Sequence, residues 1–192
     1  MKAYIILGNT RQNSNTKALS LALGNELHAM GIDVKTVSLN ELDIRTCVGC
    51  DKCHSVLDSF GCVINDDMEE VANEILLSDL VIWTSPIYSW MPTPPLKAAM
   101  DRSYAFTKYP ENADAFNLLI KQKFAMVATS GDDPKTNCDL FDESLRRMAT
   151  FAKLHYIGYL AAQDKGDGNI VTETVLNDVK AFAVKCIDAL QK

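Results

Sequence analysis

The feature that most constrains this chain is a repeated alternation. Short runs made wholly of apolar residues are each followed by a polar loop and then by a stretch with helical spacing. Ala3-Tyr4-Ile5-Ile6-Leu7 is the first run and reads as a strand buried on both faces. From Thr16, apolar residues at Ala18, Leu19, Ala22, Leu23 and Leu27 recur at helical spacing, and Gly31 closes the helix. Val34 to Val37 is a second strand, and an irregular, cysteine-containing stretch runs from about Ser38 to Asn65. Asp66-Asp67-Met68-Glu69 has the form of a capping box, opening a helix with Val71, Ile75 and Leu76 on one face. Leu80 to Trp83, Phe124 to Ala128 and Leu154 to Leu160 are further strands. Helices are predicted from near Pro95, from about Cys138 to Lys153, and from about Glu173 to Leu190.

Strands alternating with helices imply parallel βαβ units with right-handed crossovers. Five strands and about five helices fit an α/β, flavodoxin-like three-layer sandwich with a five-stranded parallel sheet in the order 2-1-3-4-5. The length, 192 residues, suits one domain over residues 1–192, and no repeat, low-complexity tract or linker interrupts it. The formal net charge of −6 and the lack of a basic stripe argue against nucleic acid as a partner. The longest apolar runs fall far short of the roughly 20 residues that span a bilayer, and the N-terminus does not read as a secretory signal. The expectation is therefore a cytoplasmic protein without membrane association, its six cysteines reduced.

In an open doubly wound sheet, ligands bind beyond the carboxyl ends of the strands, where strand order reverses. Three loops meet there. The first, Gly8-Asn9-Thr10-Arg11-Gln12-Asn13-Ser14-Asn15-Thr16, is rich in hydroxyls and amides and runs into a helix N-terminus. Such a terminus presents free N–H groups and partial positive charge, as a phosphate site requires. The same residues also make ordinary N-caps. The loop is neither a P-loop nor a GxGxxG fingerprint. The second loop, Ser85-Pro86-Ile87-Tyr88-Ser89-Trp90, offers flat aromatic faces for a planar ring, or else core and interface aromatics. The third, Ser130-Gly131-Asp132, supplies small polar groups or a plain turn.

Together with Cys47-Val48-Gly49-Cys50, Cys53, Cys62, Asp66-Asp67-Met68, Leu96-Lys97 and Asp101-Arg102, these segments resemble the flavodoxin-like NAD(P)H-dependent FMN reductase family, which includes the iron–sulfur flavoproteins. The pattern covers residues 1 to about 130. The resemblance implies non-covalent FMN, with NAD(P)H as reductant. It implies a phosphate held by Thr10, Arg11, Ser14, Asn15 and Thr16, with Asn9 standing where relatives often have Ser. Pro86, Ile87, Tyr88 and Ser89 would line the isoalloxazine, with Trp90 in the same loop, and Ser130 and Gly131, followed by Asp132, would face its other side. It also implies a homodimer or homotetramer, for which Ser103 to Leu119, with Tyr104, Phe106, Tyr109 and Phe116, is the expected interface.

Cys47-x2-Cys50-x2-Cys53 with Cys62 is the strongest single motif. Thiolates so spaced can converge on one metal centre, and the resemblance points to a [4Fe–4S] cluster. The gap of eight residues before Cys62 is wide for that subgroup. A four-thiolate zinc site and reduced thiols packing a loop remain open beside it. Cys138 and Cys186 fall in predicted helices as core residues. His28, His54 and His155 are scattered, and no catalytic triad or carboxylate pair is visible.

The expected activity is FMN-dependent transfer of electrons from NAD(P)H to a small-molecule acceptor, a quinone, flavin, nitro or azo compound or iron species, by ping-pong hydride transfer with no catalytic side chain. An electron-transfer flavoprotein, with or without the cluster, and a non-catalytic flavin-binding redox sensor are the alternatives.

Overall fold

The structure is a computed structural model, and it describes residues 1–166 and 168–192. In chain order its strands and helices are β1 (Lys2–Leu7), α1 (Asn15–Ala29), β2 (Asp33–Ser38), α2 (Met68–Leu76), β3 (Leu80–Pro86), α3 (Pro94–Arg102), β4 (Thr107–Lys108), β5 (Phe116–Asn117), β6 (Lys123–Ser130), α4 (Pro134–Asn137), α5 (Asp139–Ala152), β7 (His155–Gln163) and α6 (Glu173–Leu190). The main sheet is parallel, in the order β2-β1-β3-β6-β7. Counted within that sheet it is 2-1-3-4-5, as expected. The order reverses between β1 and β3, and the site lies at that reversal.

The apolar runs have this form because both faces of the sheet are covered. Tyr4, Ile6, Val81, Trp83, Phe124 and Met126 pack against α2, α3 and α5 through Val71, Ile75, Leu96, Ala99, Phe141 and Leu145. The alternate residues Ile5, Leu7, Ile82 and Val127 pack against α1 and α6 through Leu19, Leu23, Leu27, Val179 and Phe182. Strand side chains alternate faces, so a run with no polar gap is what a doubly covered strand requires. Cys138 and Cys186 are fully buried, as expected. None of the described helices is long and apolar enough to cross a membrane.

Four details differ from the sequence reading. β7 runs on to Gln163, three residues beyond the predicted end, pairing with β6 as far as Ser130. A short antiparallel pair, β4–β5, lies inside the segment read only as an interface. Cys138 caps α5, and the short helix α4 precedes it. The capping box does not form. Asp67 occupies the N-cap position of α2 with no side-chain bond. Asp66 instead turns its carboxylate to the buried guanidinium of Arg102, to Arg45 N (2.9 Å) and to Met68 N (3.2 Å). A buried guanidinium competes better for that carboxylate than exposed helix N–H groups do.

Candidate functional site

Three strand ends and the start of α1 enclose an open cleft of about 430 Å³, within the range of small-molecule sites. Its floor is tied together by short bonds. Gly8 N donates to Thr84 O (2.7 Å) and Ile87 N to Thr129 O (2.8 Å), extending β1, β3 and β6 into the loops. Thr93 N donates to Ser85 Oγ (2.9 Å), and Thr93 Oγ1 donates to Gly8 O. One buried threonine at the start of α3 therefore fixes two of the three loops. Gly8 is required by close approach, since a Cβ there would sit 2.6 Å from Leu96 Cβ and 3.0 Å from Thr84 O.

The first loop is an anion nest. Ser14 caps α1 in an extended conformation, its Oγ accepting from Lys17 N at 3.1 Å. That leaves its hydroxyl hydrogen free to donate outward. From Thr10 to Thr16, no backbone N–H donates to an acceptor among the described residues. The first turn of α1 contains no acidic residue. Unpaired N–H groups converging at a positive helix end are what an anionic group binds. Asn9 is buried, its Nδ2 donates to Arg11 O (2.6 Å), and its Oδ1 has no partner.

Asn9, Thr10, Arg11, Ser14, Asn15, Thr16, Pro86, Ile87, Tyr88, Ser130 and Gly131 all line this cleft. Three expected residues lie outside its lining. Ser89 and Trp90 form a tight reverse turn between Tyr88 and Met91, both with positive φ (49° and 62°). Two successive left-handed residues define a type I′ turn, and this one carries the Trp90 indole to Thr136 O, where Nε1 donates at 3.2 Å. Asp132 is exposed, and its carbonyl accepts from Ser130 Oγ (2.9 Å).

Two expected donors are partly committed. Thr16 Oγ1 pairs with Thr129 Oγ1 at 2.6 Å, a buried tie between α1 and β6. The Asn15 amide donates to Asp164 Oδ1 (3.0 Å) and Gly168 O (2.9 Å), joining α1 to the segment after β7. Asn13, Thr129, Asp164, Gly166 and Gly168 also line the cleft and are not among the residues expected from the sequence. Thr129 closes the fourth sheet strand and was readable by the strand-end rule. Asn13 belongs to the first loop, and Asp164, Gly166 and Gly168 follow β7, whose carboxyl end the same rule includes. Tyr88 OH and Thr10 Oγ1 meet across the cleft at 3.3 Å.

The cysteine motif lies apart from this cleft. Cys47, Cys50, Cys53 and Cys62 line a cavity of about 30 Å³ bordered by Arg102 and Tyr104. Among the described residues, no group of three or more His, Cys, Asp or Glu side chains is arranged to hold a metal ion. Cys47 and Cys50 are exposed, while Cys62 Sγ accepts from Arg102 Nη2 at 3.3 Å. The side chains as placed do not fit a cluster or a zinc ion. His54 is structural: it is buried, its Nδ1 lies 2.6 Å from Thr107 O, and its ring packs edge-on against Tyr104 and Tyr109. His28 and His155 are exposed.

Residues 1–163 match the family model described as NADPH-dependent FMN reductase. An iron–sulfur flavoprotein of Methanocaldococcus jannaschii is 36% identical over 105 residues, 55% of this chain and 52% of that protein. The chain thus spans about half the length of the iron–sulfur flavoproteins it matches. A Bacillus subtilis protein named as an NAD(P)H-dependent FMN-containing oxidoreductase is 23% identical over 190 residues, 99% of this chain and all of the relative. Among solved structures, the NAD(P)H:quinone oxidoreductase from Methanothermobacter marburgensis superposes with a TM-score of 0.74 at 15% identity, covering 95% of this chain and 97% of its own. That likeness shows the fold alone, and the match over residues 1–163 places the chain in the NADPH-dependent FMN reductase family.

Proposed function

We propose that the cleft holds FMN non-covalently, with the phosphate in the Thr10–Thr16 nest, and that the protein is an NAD(P)H-dependent oxidoreductase. The observation that carries this reading is the row of unpartnered backbone N–H groups ending at the α1 N-terminus, beside the free Ser14 hydroxyl. Arg11, exposed on the same loop, adds a charge-assisted contact to an anion. Pro86, Ile87 and Tyr88 on one side, with Ser130 and Gly131 on the other, form walls for a planar ring. A Cβ at Gly131 would meet nothing within 4 Å, so that wall lies open to a ligand. The buried, unpartnered Asn9 Oδ1 is an acceptor for a ligand hydroxyl or N–H. When bound, FMN supplies two-electron hydride chemistry between NAD(P)H and a small acceptor such as a quinone, flavin, nitro or azo compound. The protein's part is to bind, orient and polarise, and no side chain acts as acid or base. Turnover is therefore expected to be ping-pong. Tyr104, Tyr109 and Phe116 are each more than 40% exposed on the 103–119 segment, which supports the reading of a homodimer or homotetramer built there.

The test is Ser14→Asp. Aspartate is as good an N-cap as serine, so folding should hold. Its carboxylate would face the phosphate, and the serine hydroxyl donor is gone. Losing one hydrogen bond to a charged group costs about 1.5–3 kcal/mol, so FMN affinity should fall at least about tenfold in a flavin-fluorescence titration. Unchanged affinity with unchanged stability would remove the nest from the reading.

A further inference from the structure

The four-cysteine motif is the one strong sequence signal that the cleft does not use. The chain between its last two members is folded back on itself. Gly61 has φ +67°, and a Cβ there would lie 2.5 Å from Val56 Cβ, so residue 61 sits directly against residue 56. Lys108, wholly buried, closes the same loop from within. Its Nζ donates to Cys53 O at 3.0 Å and to Phe60 O at 3.3 Å, one acceptor at each end of the loop. Cys53 and Cys62 are therefore brought to one small cavity, both half-buried.

Two buried cations bond to these residues, Arg102 to Cys62 Sγ and Lys108 to Cys53 O, and the buried carboxylate of Asp66 is taken by Arg102. Arg102 Nη2 donates to Cys62 Sγ at 3.3 Å and supplies positive charge where a sulfur gains negative charge during exchange. Burial first, and the neighbouring Cys62 second, push the Cys53 thiol above its ordinary value.

From this arrangement we infer that Cys53 and Cys62 form a redox-active dithiol, a site of reversible oxidation by hydroperoxides, rather than half of a metal centre. In the first step Cys62 sulfur attacks the O–O bond of a hydroperoxide. The thiol becomes a sulfenic acid, the peroxide is reduced to an alcohol, or to water if it is hydrogen peroxide, and the thiol proton goes to the leaving oxygen. In the second step Cys53 sulfur attacks Cys62 sulfur, an S–S bond forms, and the S–O bond breaks with release of water. Two thiols lose two electrons and two protons, and the peroxide accepts them. Cys47 and Cys50, exposed and not held by Arg102, take no part. The inference is independent of the flavin reading, because no step passes through the cleft.

The test uses the full chain purified in reductant and then treated with tert-butyl hydroperoxide. Non-reducing peptide mapping should show a Cys53–Cys62 cross-linked peptide, and a Cys47→Ser/Cys50→Ser variant should form it equally. Cys53→Ser should leave Cys62 as a sulfenic acid that dimedone labels, and Cys62→Ser should abolish both products. A cross-link that instead uses Cys47 or Cys50, or the absence of any cross-link in wild type, overturns the inference. So does protein purified without air that carries stoichiometric iron and sulfide with all four thiols resistant to alkylation. FMN binding in the same samples reports on the cleft separately.

Discussion

Replacing Asp66 with asparagine should destabilise the protein by about 3–5 kcal/mol, the usual cost of removing one partner of a buried ion pair. The structure places this pair where that figure applies. The side chains of Asp66 and Arg102 are 0% and 1% exposed, so solvent screens neither. Arg102 Nε is already buried without a partner, and Nη1 faces Asp66 Oδ2 and Arg45 O. Asparagine would leave the guanidinium with no counter-charge, and the amide would turn one N–H₂ against other donors. The effect is pH-dependent. Burial alone would raise the Asp66 pKa, but the hydrogen bond from Arg102 and those from the Arg45 and Met68 backbones outweigh it and lower it. A carboxylate with a lowered folded pKa contributes stability above its unfolded value, about 3.9, and that contribution is lost as pH falls through the folded pKa. Urea denaturation should therefore show the full wild-type-to-variant gap at pH 7 and a narrowing gap below about pH 4. The double change Asp66→Leu with Arg102→Met should cost much less than the single change, since it leaves no buried charge. A single-variant loss below about 1 kcal/mol, or a gap unchanged by acid, would refute the reasoning.

Gly8→Ala should cost about 1–3 kcal/mol through overpacking against Leu96 and Thr84 O, and should weaken FMN binding because the phosphate loop starts there. A flavin titration with unchanged affinity would separate that contact from the site. Ser89→Asn should stabilise the fold by up to about 1 kcal/mol, because asparagine tolerates the left-handed region that Ser89 occupies at φ 49°. The melting midpoint should rise by about 2–4 °C, and no rise would count against strain in that turn.

The sheet is legible because its central strands β1, β3 and β6 are covered on both sides. Ile5, Ile82 and Val127 face one helix layer while Tyr4, Val81 and Met126 face the other, so the three central strands carry no polar gap to blur them. The cleft was legible for the same topological reason, since the strand order fixes which loops meet. What escaped depended on contacts remote in sequence. The fate of the Asp66 carboxylate is decided by Arg102, 36 residues away, and no local pattern announces that. Trp90 offers a flat face in the loop that meets the crevice, which makes it a candidate for the ring beside the commoner core or interface role. Its turn conformation instead ties it to Thr136, 46 residues on. Asp164 lines the site through a bond to Asn15, 149 residues distant, and only the extension of the strand-end rule to β7 would have found it.

Lys108 offers a test in the alkaline range, where burial disfavours the charged form instead of a partner favouring it as at Asp66. Its ammonium is fully buried, and carbonyl oxygens are its only hydrogen-bond partners among the described residues. Burial depresses its pKa, against smaller opposing influences from Cys53 and Asp58. Between the depressed folded value and the unfolded value of about 10.4, the unfolded chain binds more protons than the folded one, so stability rises with pH across that window. Lys108→Met keeps the apolar stem and removes the charge. It also strands two carbonyls, so its absolute stability is a poor readout, whereas the slope is not affected by them. Wild type should gain stability relative to Lys108→Met as pH climbs through the alkaline range, in paired denaturation curves under reductant. Parallel curves would mean that the ammonium is solvated in solution. In that case it could not clamp Cys53 O to Phe60 O, and the placement of Cys53 and Cys62 at one cavity would lose one of its two supports.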